Sequence, residues 1–164
     1  MPIHTVSRVL LAAGFTATAL SAASQAGFAG GGHGPVVISR NISVSYDPVY
    51  DNGATPLSKV ACSGGSNGLM AKGYTDFASI PTFPYIGSAD IVEGYNSTRC
   101  GECWELKYEA PTVKDVIYLI VVDAAEKGWT ISTPAMNDLT YGEGEELGRV
   151  NAVARLMPQS YCGM

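Results

Sequence analysis

The stretch CGECWELKY, Cys100–Tyr108, decides the fold. A C-x-x-C pair is a redox motif, half of a metal site, or the ends of two separate disulfides. A thioredoxin-like pair sits at a helix N-terminus after a strand. Here the residues after Cys103 alternate instead. Trp104, Leu106 and Tyr108 face one side, and Glu105 and Lys107 the other, which is the period of a strand. The two cysteines therefore open a strand, with Trp104 and Leu106 directed into a core.

The rest of the chain supplies the compartment. Val9 to Leu20 (VLLAAGFTATAL) is an apolar run too short to span a bilayer. It follows a weakly basic start, His4 and Arg8, and precedes the small residues SAASQA. That is the layout of a secretory signal peptide, residues 1–26. Caps and polar periodicity expected of a buried N-terminal helix are missing. All four cysteines, Cys62, Cys100, Cys103 and Cys162, lie beyond the leader. An even count in an oxidising compartment reads as disulfides. Zinc fits poorly, because His33 is the only histidine past the leader and four zinc-bound thiolates would compete with oxidation. The residues place Cys100 and Cys103 in bridges to Cys62 and Cys162, and leave the three connectivities open.

Composition narrows the partners. The chain has 164 residues, a formal charge of −5 and 46% hydrophobic content, so it is one folded domain of acidic character. It lacks basic runs, which excludes the electrostatic footprint of nucleic-acid binding, and an acidic surface is repelled by anionic membranes. A neutral partner remains compatible.

Residues 27–41, including GFAGGGHGP, read as a glycine-rich flexible segment, and 42–164 as the folded body. Ile42, Val44 and Tyr46 alternate as a first strand, ended by Asp47-Pro48. Leu57 to Cys62 reads as a short helix, and Ile86 to Glu93 as a strand interrupted at Gly87. Val116–Val122 (VIYLIVV) reads as a strand buried on both faces. Thr133-Pro134 starts a helix, with Thr133 as N-cap, that runs to about Thr140. Val150 to Leu156 alternate as a last strand. Short strands, few helices and many turns predict a mostly β domain, a small barrel.

Catalytic chemistry is scarce. The body from Ile42 has no histidine, which removes Ser-His-Asp and Cys-His sites. No glycine-rich phosphate loop is present, and no cofactor or metal is expected. Asp123 stands where the buried strand runs into AAEKGW; it is either a ligand-facing carboxylate or a turn cap. Glycoside hydrolysis requires a second carboxyl group, for which Asp47, Asp90 and Glu93 are the candidates. Trp129, after Gly128, reads as a partly exposed aromatic platform. Tyrosines are plentiful, and their flat apolar face with a hydroxyl suits neutral polar ligands. Two N-glycosylation sequons begin at Asn41 and Asn96.

The body also resembles the cerato-platanin family of small secreted fungal proteins. The stretches that carry the resemblance are SVSYDPVYD (43–51), KVACSGGSNGLMAKGYTDFASIPTFPYIG (59–87), EGYNSTRCGECW (93–104), VVDAAEKGW (121–129), AMNDLT (135–140) and the final Cys162-Gly163. The resemblance implies a six-stranded double-psi β-barrel like the first domain of expansins, and bridges Cys62–Cys100 and Cys103–Cys162. It implies an extracellular and cell-wall protein that binds N-acetylglucosamine oligomers (chitin fragments) in a shallow groove. It also implies loosening of cellulose without hydrolysis and elicitation of plant defence through a plant cell-surface receptor. Asp123 matches the aspartate shared with the expansin active-site region. Ala124 and Glu126 depart from the usual histidine and glycine after it. The candidate carbohydrate-binding residues are Asp123, Asn96 and Trp129, with Tyr95 and Glu93 beside them. Two alternatives stand: a weak glycosidase or lytic transglycosylase using Asp123, and a self-assembling wall-surface protein.

Overall fold

The structure is a computed structural model that describes residues 38–110 and 114–164. The expected leader and most of the glycine-rich segment lie outside the described residues. Six strands form: β1 (Ser39–Tyr46), β2 (Ile86–Ala89), β3 (Cys103–Glu109), β4 (Lys114–Ala124), β5 (Trp129–Ile131) and β6 (Arg149–Met157). Their order is β1-β5-β2-β4-β3-β6, closed into a barrel. Pairs β1·β5 and β2·β4 are parallel and the other four are antiparallel. With its few short helices, this is the expected six-stranded double-psi barrel.

Alternation builds the core as the pattern predicts. Ile42 and Val44 of β1, Trp104 and Leu106 of β3, and Val150, Ala152 and Ala154 of β6 are all buried. Trp104 meets Trp129 edge to face, with ring centroids 5.3 Å apart, a favoured aromatic geometry. In β4 only Leu119–Val122 is buried throughout. Val116 is exposed and Tyr118 half-buried, because this end of the strand runs out past the core. The two disulfides are Cys62–Cys100 and Cys103–Cys162, so CGECW holds the ends of two separate bridges.

Several boundaries differ from expectation. Ser39, Arg40 and Asn41 are not part of a flexible segment. They continue the ladder of β1 against Arg155, Ala154 and Val153 of β6. Leu57–Lys59 is a single 3₁₀ turn rather than a helix to Cys62. β2 ends at Ala89, and its register against β4 shifts between Gly87 and Ser88. A Cβ on Gly87 would stand 2.4 Å from the Thr130 carbonyl oxygen, so only glycine lets β2 and β5 approach. The helix α1 (Thr133–Leu139) is capped by Ser132, whose Oγ accepts from the Ala135 N–H at 3.2 Å. Thr133 is already helical, and its N–H donates to Asp51 Oδ1 at 2.7 Å. A second short helix, α2 (Gly144–Leu147), follows. No helix among the described residues is long and apolar enough to cross a membrane.

Candidate functional site

Asp123 is the first polar residue as β4 leaves the barrel. Its Oδ1 accepts from the Ala61 N–H at 2.8 Å and from the Ala124 N–H at 2.9 Å, and its Oδ2 accepts from the Tyr50 hydroxyl at 3.2 Å. Tyr50 is buried in the turn that follows β1. Burial raises its pKa well above the ordinary phenol value, and the Asp123 charge adds to the rise against an opposing hydrogen bond from Ser88. The carboxylate thus clamps three stretches: the end of β4, the turn after β1 and the segment at Ala61.

That last segment leads to the other candidates. Cys62 donates its N–H to the Val122 carbonyl at 3.2 Å, and the chain then passes Gly64 and Gly65. A Cβ on Gly64 would lie 2.9 Å from the Tyr95 hydroxyl oxygen, and one on Gly65 would lie 2.4 Å from the Asn96 side chain. Tyr95 is 70% exposed. Asn96 has a φ of 58°, a conformation that Asn tolerates better than most residues. Asn67 holds it by two 2.9 Å bonds, one to its Oδ1 and one to its backbone carbonyl. The Asn96 Nδ2 has no partner among the described residues. Residues 61–65 therefore form one strip with Asp123 at one end and Tyr95 and Asn96 at the other, pinned by Cys62–Cys100. Glu93 is exposed close by in sequence.

Trp129 does not belong to this surface, and its expected role as an exposed platform is corrected. It is fully buried, because β5 pairs with β1 on one side and β2 on the other. Strand alternation then sends Trp129 and Ile131 inward. The sequence signal was the apolar–polar–apolar run Trp129-Thr130-Ile131, which is short enough to pass for a loop. The indole N–H donates to Asp90 Oδ1 at 3.3 Å. Asp90 also accepts from the Gly128 N–H at 3.2 Å and pairs with the two terminal guanidinium nitrogens of Arg40 at 3.2 Å.

Two of the three carboxylates proposed as partners of Asp123 are thus otherwise engaged, Asp90 in this hub and Asp47 in capping the Val49 N–H at 2.9 Å, while the third, Glu93, is exposed. Among the described residues no group of three or more His, Cys, Asp or Glu is placed to hold a metal.

The comparisons with known proteins fit this architecture. A family model, Cerato-platanin, matches residues 42–164. The chain belongs to the cerato-platanin family. "Allergen Asp f 15" of Aspergillus fumigatus is 47% identical to this cerato-platanin over 121 residues, covering 74% of this chain and 76% of the relative. The crystal structure of cerato-platanin 2 from M. perniciosa superposes with a TM-score of 0.73 at 34% identity, covering 76% of this chain and all of the other. The solution structure of the fungal elicitor Cerato-Platanin gives 0.63 at 32% identity, covering 74% and 96%. In the present cerato-platanin, Ala124 and Glu126 follow the Asp123 clamp. Ala124 closes it through its N–H, and Glu126 is exposed in the bend beyond.

Proposed function

We propose that this cerato-platanin is a secreted, non-catalytic carbohydrate-binding protein. Its ligand is an N-acetylglucosamine oligomer lying along the strip from Asp123 across Gly64 and Gly65 to Tyr95 and Asn96. The observation that carries the reading is that residues 61–65 run from Asp123 to Tyr95 and Asn96, whose side chains lie against Gly64 and Gly65, so that a carboxylate, an amide and an exposed ring share one strip. Tyr95 offers an exposed aromatic face, Asn96 a free amide donor, and Asp123 a carboxylate with acceptor capacity beyond its three present donors. An exposed strip with so few anchors predicts modest affinity.

Expansin-like loosening follows from the same contacts: wall hydrogen bonds are exchanged for protein hydrogen bonds with no bond cleaved. The engagement of Asp47 and Asp90 elsewhere leaves Glu93 as the one remaining candidate partner of Asp123, which supports binding over glycoside hydrolysis. The leader-like start and the two disulfides support secretion to the cell wall, and kinship with a protein described as a fungal elicitor supports recognition by a plant cell-surface receptor.

The test is an NMR titration of the secreted protein with a chitin oligosaccharide, left overnight. Localised shifts at Tyr95, Asn96 and Asp123 with the sugar intact are expected. Shortened sugar products would overturn the reading in favour of a glycosidase or lytic transglycosylase, and an unperturbed spectrum would sink it.

A further inference from the structure

A concave surface lies at the opposite end of β4. Asp115 is eight residues from Asp123, on the order of 25 Å along an extended strand. Here Tyr85, Tyr118, Tyr141 and Tyr161 line a groove of about 660 Å³ together with Asp115, Asp138 and Asn137. That volume is typical of small-molecule sites.

Two of the rings are held by their hydroxyls. Tyr85 donates to Asp138, and Tyr118 donates to Glu105 at 3.1 Å. The Tyr118 and Tyr161 rings lie 5.5 Å apart, tilted by 36°. Tyr141 is held differently. Its φ is 59°, a conformation that disfavours a bulky side chain, yet its ring is 68% exposed, so burial does not offset the strain. The Asn137 Oδ1 is buried without a partner among the described residues.

Charge makes the groove specific. Lysine and arginine are absent from its lining. Among the described residues neither Asp115 nor Asp138 has an ion-pair partner, whereas Glu105 behind Tyr118 is paired with Arg155 at 2.8 Å. Among the described residues, the lining is therefore aromatic with two carboxylates that no ion pair balances.

We propose that this groove binds an amino sugar in its ammonium form, an oligomer of glucosamine rather than of N-acetylglucosamine. Carboxylates beside aromatic rings attract a cation by direct charge and by the ring quadrupole, and they repel anions. Four tyrosines along one groove offer more flat apolar area than a lone amine covers, which favours successive pyranose faces. The inference rests on the carbohydrate-binding reading and assigns a separate site to a differently charged ligand.

The experiment titrates the full secreted protein, at mildly acidic pH, with a glucosamine tetramer and separately with an N-acetylglucosamine tetramer, reading amide shifts. The glucosamine tetramer is expected to move Tyr85, Tyr141 and Tyr161, and to bind more weakly as salt rises. Tyr141→Gly, which suits the positive φ and keeps the fold, should weaken it about threefold. The double variant Asp115→Asn, Asp138→Asn should weaken it roughly fivefold or more.

Silent tyrosines with the glucosamine tetramer would overturn the inference. So would an equal response there to the N-acetylated tetramer that survives the double asparagine variant. Shifts at Tyr95 and Asn96 with the N-acetylated tetramer are read in the same spectra. Their presence with silent tyrosines sinks only this inference, and the reverse sinks only the earlier one.

Discussion

Removing the Asp123 carboxylate separates a clamp from a ligand contact. Asp123→Ala leaves three donors, the Ala61 and Ala124 N–H groups and the Tyr50 hydroxyl, without their acceptor. A hydrogen bond to a charged acceptor contributes about 1.5–3 kcal/mol. Asp123 is half-buried, so water recovers part of each, and about 1 kcal/mol per donor remains, roughly 3 kcal/mol in all. For a body of this size that lowers Tm by about 10–15 °C. Asp123→Asn is the informative contrast. Both backbone donors use Oδ1, which asparagine keeps, so its cost should be only about 1 kcal/mol. Thermal unfolding of the disulfide-intact protein, followed by circular dichroism, measures both. An alanine variant melting within about 3 °C of the parent would refute the clamp; so would alanine and asparagine variants of equal stability.

Alkaline pH tests the neighbour of Asp123. Tyr50 has a raised folded-state pKa, so its contribution is complete below the unfolded value of about 10 and is lost as pH rises beyond it. Unfolding free energies from denaturant titrations above that pH should fall by up to about 1.4 kcal/mol per pH unit from this group, and Tyr50→Phe should remove that share of the slope. Gly87→Ala forces a Cβ against the Thr130 carbonyl and should cost about 2 kcal/mol or more in urea unfolding; a neutral result would show that β2 and β5 can part freely. Tyr95→Ala should leave Tm unchanged, since the ring is exposed, and weaken chitin-oligomer binding about fivefold by titration.

The parts legible in sequence were those governed by neighbours. Trp104 and Leu106 two residues apart, the apolar run Leu119–Val122 and the alternation of β6 each specify a buried strand face without knowledge of the partner strand. The disulfide pairing was not legible from spacing and came from resemblance to a family. β5 escaped because three residues give too little periodicity, and with it went the burial of Trp129. Asp90 escaped because Arg40, Gly128 and Trp129 lie 50, 38 and 39 positions away. Asp123 stood between cap and contact for the same reason: two of its three donors, at separations of 73 and 62, arrive only when the barrel closes. The tyrosine groove is drawn from four distant stretches, each of which reads alone as ordinary surface.

Closure of the barrel also limits how copies of this protein can associate. Each of the six strands has a neighbour on both sides along part of its length, and among the described residues the longest one-sided edges are Ser39–Ser43 of β1 and Lys114–Leu119 of β4. Films or coatings at a wall or an air–water boundary would draw on these two short edges and on side chains such as Tyr141, Tyr161 and Met70, which project from the surface. Pairing along the stretches already flanked on both sides would first require the ring to break.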